Sequence, residues 1–408
     1  MIPLKILENK TISDVPGFKA VGIHSGVKKN GNNDLCVIYS EKPAVAAAVF
    51  TKNKVKAAPV LVSMEHIKSE NIQAIVANSG NANACTGSKG FDNAVTMTNI
   101  TAEALGLSAK EVMVASTGII GFPMPIDKIT SGIETACKQL SKIGGESAAK
   151  AIATTDTFTK KITVEITIED KPIYISGIAK GSGMIHPNMG TMLSFITTNI
   201  NISKSLLQFV LKSSIENTYN MVSVDGDTST NDTVIVMANG QAENTFLYAM
   251  NGHYMQFKEA LDFVNKELAK MIAKDGEGAT KLIETDVIHA KTIADAKLCA
   301  KSVIGSSLVK SALFGSDANW GRILCAIGYA DGNFMPEKVD ISFKNDVGII
   351  QVAKNGMGIP FDEPLAKSIL EQEYVNILID LKDGEHSATA WGCDLSYDYV
   401  KINGDYRS

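Results

Sequence analysis

The sequence predicts an α+β fold in which sheets and helices form layers. Residues 161–170 carry isoleucine or valine at every second position, which is the pattern of a half-buried strand. Residues 254–273 instead repeat apolar side chains every three or four positions, which indicates one long amphipathic helix. Strand and helix signals are mixed without a regular strand–helix–strand repeat, so a doubly wound sheet is not expected. The length of 408 residues also favours more than one sub-domain.

Two hairpins are expected beside these elements. Residues 172–178 should return against the first strand through a turn at residues 169–171. The last quarter of the chain is expected to be mostly β. There, residues 375–381 and 387–395 should form a second hairpin around the turn at residues 382–385. The long helix should end at Lys274-Asp275-Gly276, with the glycine in the capping position.

Composition excludes several classes of function. The net charge of −5, without a run of Lys or Arg, gives no reason to expect nucleic acid as a partner. No segment reaches the apolar length of a membrane helix, and none of the six cysteines forms a C-x-x-C pair. We therefore expect a cytoplasmic protein without a metal site. Residues 225–232 resemble a calcium loop only loosely, because the twelfth-position Glu is missing, and a tight turn that supports the core is expected instead.

The segment of residues 180–199 is the most informative part of the sequence. A glycine-rich loop containing Gly190-Thr191 separates two strand-like stretches, residues 174–178 and 192–196. A strained Gly–Thr bond there suits an intramolecular N-to-O acyl shift, in which the Thr191 hydroxyl attacks the Gly190 carbonyl and the C–N bond breaks. Water then hydrolyses the resulting ester and separates the two fragments. The freed α-amine of Thr191 would then act as base for its own hydroxyl. By spacing alone, a glycine-rich connection with an ordinary structural threonine is the commoner alternative.

This segment resembles the self-processing site of the ornithine acetyltransferase family, the glutamate N-acetyltransferases of arginine biosynthesis. Seven segments resemble family motifs, in the family's order: residues 77–87, 116–121, 154–158, 180–193, 275–281, 316–322 and 403–408. The resemblance implies the layered fold of that family, with a smaller α/β sub-domain at the C-terminal end. It also implies cleavage into an α chain of residues 1–190 and a β chain of residues 191–408.

Two positions depart from the family pattern. The family typically cuts an Ala–Thr bond, whereas this chain has Gly190 before Thr191. Because glycine keeps a small residue before the nucleophile, we expect cleavage to survive. His186 stands where a small residue is common, and it either takes no part or tunes the processing step.

The resemblance further implies the reaction and its nucleophile. Thr191 would take the acetyl group of N2-acetyl-L-ornithine and pass it to L-glutamate in a ping-pong scheme, without a metal or an organic cofactor. Thr117 and Gly118 resemble the pair that stabilises the oxyanion. From the residues alone, these two could equally form a local cap and turn. Acetyl-CoA is left open as a second donor.

Substrate binding falls, by the same resemblance, to five residues besides Thr191. Lys180 would pair with the α-carboxylate, Thr154 would donate a hydrogen bond, and Glu277 would pair with the δ-ammonium of ornithine. Asn403 and Ser408 belong to a tail that closes over the substrate. Each has a plain structural alternative, as a solvated surface, loop, turn or tail residue.

Two other functions remain open at this level. One is a self-processing amidohydrolase or aminopeptidase, in which water rather than an amine releases the acyl group from Thr191. The other is a non-catalytic binding protein that matures by cleavage. The resemblance favours the acetyltransferase and implies a heterotetramer of two α and two β chains.

Overall fold

The computed structural model describes residues 3–186 and 192–405. The strands within these ranges are β1 Lys5–Ile6, β2 Phe18–Ile23, β3 Leu35–Ser40, β4 Val45–Phe50, β5 Ala74–Asn81, β6 Val112–Ile119, β7 Lys160–Ile168, β8 Lys171–Lys180, β9 Leu193–Thr198, β10 Val222–Ser223, β11 Thr233–Ala238, β12 Leu282–Ala290, β13 Asp340–Asn345, β14 Gly348–Lys354, β15 Met357–Gly358, β16 Tyr374–Asp380 and β17 His386–Cys393. The α-helices are α1 Ala58–His66, α2 Gly87–Leu105, α3 Ile126–Lys138, α4 Gly145–Ile152, α5 Lys204–Ile215, α6 Gly252–Lys274, α7 Ile293–Gly305, α8 Ser307–Phe314, α9 Trp320–Gly328, α10 Glu363–Leu370 and α11 Tyr397–Asp405.

The strands form three sheets. A four-stranded sheet has the spatial order β2-β3-β5-β6, and a six-stranded sheet has the order β1-β7-β8-β9-β11-β4. A seven-stranded sheet, β10-β17-β12-β16-β13-β14-β15, contains most of the C-terminal strands. Parallel and antiparallel pairs occur in each of the two larger sheets. The prediction of an α+β fold, with a further sub-domain at the C-terminal end, is confirmed.

Layering follows from where the apolar side chains are buried. One core lies between the four-stranded and six-stranded sheets and includes side chains of α4. A second core covers the outer face of the four-stranded sheet with α1, α2 and α3. The largest core joins the other face of the six-stranded sheet, through α5 and α6, to the seven-stranded sheet and α7. The six-stranded sheet is therefore buried on both faces.

Helix α6 confirms the periodicity of the sequence. It begins at Gly252, where the side chain of Asn251 accepts a hydrogen bond from the backbone of Tyr254. Its apolar stripe is buried against the two larger sheets. The predicted end of the helix is confirmed, because Asp275 is the cap residue and Gly276 follows it. Gly276 lacks the left-handed φ of a capping glycine, and the glycine with that conformation is Gly278, at +69°.

The first hairpin is confirmed and the second is wrong. In the β7–β8 hairpin, Glu169 and Asp170 have φ values of 54° and 61°, as a two-residue turn between twisted strands requires. Strands β16 and β17, in contrast, do not pair with each other, because β12 lies between them. It is parallel to β16 and antiparallel to β17. Local turn residues show that a chain reverses, but they cannot show a third strand inserted from elsewhere.

Close packing of α4 on β2 gives a testable consequence. A Cβ atom added at Gly22 would lie 1.9 Å from the backbone oxygen of Ser147 in α4. Because backbone atoms must move to relieve this clash, we expect Gly22→Ala to lower the free energy of unfolding by about 1–3 kcal/mol. The thermal unfolding midpoint measures the loss.

The matched control is Gly305→Ala at the end of α7, where an added Cβ meets nothing within 4 Å. Its midpoint should stay the same or rise slightly, since alanine favours the helix. Equal midpoints for the two variants would contradict the close packing of α4 on β2.

Candidate active site

One cleft of about 150 Å³ brings together every predicted site residue that lies within the described ranges. It opens where the ends of β6 and β8 meet the segment that follows α6. The residues concerned are Thr117, Gly118, Thr154, Lys180, Glu277 and Asn403. They are up to 286 positions apart in sequence (403 − 117), so only the fold places them side by side. Their chemical roles remain predictions.

Gly118 lies where two parallel strands come unusually close. It pairs with Gly80 of β5, and the register of the two strands shifts just beyond this point. Its φ of +128° lies in the region that favours glycine, and an added Cβ would be 2.5 Å from the carbonyl carbon of Gly80. Only glycine fits this position, and the backbone that it carries forms part of the cleft wall.

Lys180 is the buried cation of the cleft. It is the last residue of β8, and its Nζ donates a hydrogen bond of 3.1 Å to the hydroxyl oxygen of Thr117. Burial lowers the pKa of Lys180, and the carboxyl groups of Asp156, Asp232 and Glu277 oppose this. Because the oxygen of Thr117 accepts from Lys180, its own proton is available to a negatively charged oxygen in the cleft.

Thr154 is held by a neighbouring carboxylate. Asp156 accepts the backbone N–H of Thr154 at 2.9 Å and that of Gly181 at 2.8 Å. Lys160 donates to the same carboxylate at 2.6 Å. Burial alone would raise the pKa of Asp156, but Lys160 and Lys180 outweigh it and lower the pKa to about 2. Asp156 is therefore anionic at neutral pH.

Glu277 lies beside the other end of the same segment. Its backbone N–H donates to the carbonyl of Ser182 at 3.0 Å, and its carboxylate rests against Gly183, where an added Cβ would be 2.3 Å from Oε2. Asn403, in the C-terminal helix α11, donates to Oε2 of Glu277 at 2.8 Å. The tail residue and the predicted ammonium-binding acid are thus in direct contact.

Three predicted residues, Gly190, Thr191 and Ser408, lie outside the described ranges. The described residues that flank the predicted cleavage point are His186 and Met192. Met192 is buried and its carbonyl accepts the backbone N–H of Thr233, which anchors the start of β9. His186 contacts the Ser223 hydroxyl through Nδ1 at 2.9 Å, and burial lowers its pKa to about 4, so the imidazole is neutral at pH 7.

Sequence reasoning missed several polar residues that line the cleft, among them Asn231 and Asp232. The side chain of Asn231 donates to the carbonyls of Ala82 and Ser116, at 2.6 and 2.8 Å, and so supports the strand that ends in Thr117. Asp232 is almost wholly buried, and its Oδ2 has no hydrogen-bond partner within the described ranges. Burial raises the pKa of Asp232 well above its usual value, despite contributions from neighbours such as Ser229 and Lys180 that lower it. The available signal was an acid immediately before the mainly apolar strand β11.

A survey of the described residues finds no cluster of three or more His, Cys, Asp or Glu side chains placed to hold a metal ion. It likewise finds no helix that combines the length and the apolar character needed to cross a membrane. Asp225, in the loop that loosely resembles a calcium site, accepts the backbone N–H groups of Met184 and Ile185 at 2.6 and 2.8 Å. Its contacts support the start of the segment that leads to the predicted cleavage point.

Comparison with known proteins identifies close relatives over the whole chain. Residues 19–408 match the model of the ArgJ family. The chain is 58% identical over the full length of both proteins to the arginine biosynthesis bifunctional protein ArgJ 1 of Clostridium acetobutylicum. Its identity to the protein of that name in Caldanaerobacter subterraneus is 54%, over 99% of this chain and 100% of the relative. A crystal structure of ornithine acetyltransferase from Mycobacterium tuberculosis, complexed with ornithine, aligns with 46% of this chain and 99% of its own at 37% identity, with a TM-score of 0.43.

The raised pKa of Asp232 predicts how stability changes with pH. Since the folded protein keeps this carboxyl protonated, unfolding releases a proton once the pH exceeds the unfolded pKa of about 4. The stability that this bound proton confers is fully present below that pH. As the pH rises towards the pKa of the folded state, the free energy of unfolding falls by ~1.4 kcal/mol per pH unit. Asp232→Asn has the shape of the neutral acid and no proton to release, so its unfolding midpoint should fall less than that of wild type as the pH rises above about 4.

At about pH 4, protonation of Asp232 should add little to the difference in stability between wild type and Asp232→Asn. Measurements at this pH therefore provide the internal control. Midpoints of wild type and variant that decline in parallel over the whole range would show that Asp232 is ionised in the folded protein.

Proposed function

This chain belongs to the ArgJ family of bifunctional arginine biosynthesis enzymes, and from that premise we propose that it transfers the acetyl group of N2-acetyl-L-ornithine to L-glutamate. The observation that carries the proposal is the cleft at the ends of β6 and β8. It combines a buried lysine, a threonine hydroxyl beside an obligatory glycine, and the carboxylate of Glu277. These are the groups needed to bind an amino acid with two charged ends and to stabilise an oxyanion.

The nucleophile of the proposed reaction is the hydroxyl of Thr191, freed by cleavage after Gly190. Support for two fragments that stay together comes from the six-stranded sheet. Strand β8 precedes the cleavage point and β9 follows it, and they pair from Ile175↔Thr198 to Lys180↔Leu193. Strand β11 of the later fragment also pairs with β4 of the earlier one. A cut between β8 and β9 leaves all of these hydrogen bonds in place.

Acetyl transfer then proceeds in two balanced halves. The Thr191 oxygen attacks the acetyl carbonyl of N2-acetylornithine, its proton passes to the Thr191 α-amine, and the C–N bond breaks as ornithine takes that proton. The α-amine of glutamate next attacks the acetyl ester and gives up a proton to the Thr191 α-amine. The ester C–O bond then breaks, and the threonine oxygen takes that proton to restore its hydroxyl. In both halves the Thr117 hydroxyl and the Gly118 N–H would donate to the negatively charged oxygen.

Each charged group of the substrate is assigned to a residue that lines the cleft. The α-carboxylate, which ornithine and glutamate share, is assigned to Lys180, and Thr154 supplies a hydrogen bond beside it. The δ-ammonium of ornithine is assigned to Glu277, whose carboxylate already accepts from Asn403. Ser408 is assigned to the closing tail together with Asn403, by family resemblance.

Three further properties are part of the proposal. The relatives are named bifunctional, and we propose acetyl-CoA with glutamate as the second reaction. An assay of acetylglutamate formation with N-acetylornithine, and then with acetyl-CoA, separates the two. The heterotetramer of two α and two β chains and the cytoplasmic location remain predictions from the sequence.

Self-cleavage is tested at the nucleophile. Thr191→Ala removes the attacking hydroxyl, so the protein should remain a single 43.5 kDa chain. Wild type should give two fragments, with threonine at the new N-terminus identified by Edman sequencing.

Thr191→Ser is the matched control, because it keeps a hydroxyl at the same position and should still be cleaved. An uncleaved wild type with full acetyl transfer would contradict the proposed N-terminal nucleophile.

Charge recognition is tested at Glu277. Glu277→Gln keeps the size of the side chain and an acceptor for Asn403 but removes the charge that faces the ammonium. Loss of a charged hydrogen bond costs about 1.5–3 kcal/mol, so kcat/KM for N-acetylornithine should fall about ten- to a hundredfold.

Self-cleavage of the Glu277→Gln protein should be intact. Capture of the acetyl group by glutamate, which has no side-chain ammonium, should suffer less. Unchanged kinetics with N-acetylornithine would make Glu277 a turn residue only.

A further inference from the structure

A buried carboxylate connects two walls of the cleft without lining it. The side chain of Asp156 is 2% exposed and accepts backbone N–H groups from Thr154, on the loop after α4, and from Gly181, directly after Lys180. Burial of a carboxylate is costly unless hydrogen bonds and a cation compensate it. Here Lys160 supplies the cation, at 2.6 Å.

Lys160 extends the same network to the segment that follows α6 and contains Glu277. It is fully buried and forms an ion pair with Asp275 as well as with Asp156. The backbone oxygen of Asp275 accepts the Ser182 hydroxyl at 2.6 Å, and the Ser182 carbonyl accepts the backbone N–H of Glu277. One ammonium between two carboxylates leaves a negative charge that Lys160 does not balance.

The charge that faces this surplus is Lys180. Five charged or titratable groups act on it: Asp156, Asp232 and Glu277 raise its pKa, Lys160 lowers it, and Lys28 repels it. Asp156 acts more strongly than the other two acids. Burial raises the pKa of Asp232 well above its usual value, and the carboxylate of Glu277 already contacts Asn403.

We propose that Asp156 is a positioning residue for acetyl transfer, which fixes Thr154 and Gly181 by their backbones and supplies the counter-charge of Lys180. Lys180 then presents a positive charge to the α-carboxylate of the substrate, although it is buried. The inference rests on the proposed function, which assigns that carboxylate to Lys180. Because Asp156 lies behind the cleft wall, its role in this proposal is indirect and is exerted through its neighbours.

The test is the pH dependence of KM in Asp156→Asn. The substitution leaves Lys160 paired with Asp275, so this buried ammonium keeps one of its two carboxylate partners. With the negative charge removed, the pKa of Lys180 falls further, and substrate binding should weaken at a lower pH. We expect KM for both N-acetylornithine and glutamate to rise about tenfold. The alkaline limb of the pKM profile should shift down by roughly one pH unit.

Asp394→Asn is the matched control. Asp394 is also a buried carboxylate that accepts two backbone N–H groups, from Thr280 and Lys281, but its charge acts on Lys281. Its variant should lose stability without moving the alkaline limb. Asp156→Glu separates the two roles in another way, because it keeps the charge but not the geometry. It should raise KM and leave the limb near its wild-type position.

An Asp156→Asn enzyme whose alkaline limb coincides with that of wild type would overturn the inference, whatever its KM. Lys180→Met distinguishes this from failure of the proposed function: if it leaves KM for both substrates unchanged, the assignment of Lys180 itself is wrong. If the Asp156 variants fold but do not turn over, calorimetric titration of glutamate across the same pH range replaces KM. The same limb shift then decides the outcome.

Discussion

The hydrogen-bonded ladder through β8, β9 and β11 is the interaction on which the site depends. All residues of β9 and β11 are buried, so their backbone groups have no solvent to replace a lost partner. The ladder sets Lys180 at the end of β8 and opposes it to Leu193 at the beginning of β9. The cleft lies beyond this last pair. An intact peptide bond in the segment that connects β8 to β9 is not needed to hold these two strands in register.

Carboxyl groups around the cleft differ in charge because their surroundings differ. Asp156 is buried but has a lysine and two backbone donors, and these make it strongly acidic. Asp232 is equally buried and lacks a partner for one oxygen, so it holds its proton. Glu277 lines the open space, with Asn403 as its donor. The same functional group thus serves as a counter-ion, as a neutral hydrogen-bonding group and as a candidate ligand for a cation.

Local patterns predicted the elements whose neighbours are close in sequence. The alternation in β7 and β8, and the two residues with positive φ between them, lie within one stretch of chain. The stripe of α6 is equally local. The prediction of a β16–β17 hairpin failed because β12 lies between the two strands in the sheet. In the sequence, β12 precedes β17 by almost a hundred residues. The cleft residues were named by motif, but Asp156 and Asp232 owe their properties to burial by distant segments, which spacing does not encode.

The order of strands in the six-stranded sheet also constrains how the chain is made. Strands β1, β4, β7 and β8 are synthesised before the proposed cleavage point, whereas β9 and β11, which separate β8 from β4, come after it. The nascent chain must therefore wait, with two unpaired strand edges, until Ala238 at the end of β11 has left the ribosome. At roughly 5–20 residues per second, the interval after β4 lasts on the order of ten seconds or more. During that time the sheet is open to mispairing and to chaperones. A cut made before then would release a fragment without the centre of its sheet, so the proposed cleavage is expected to follow folding.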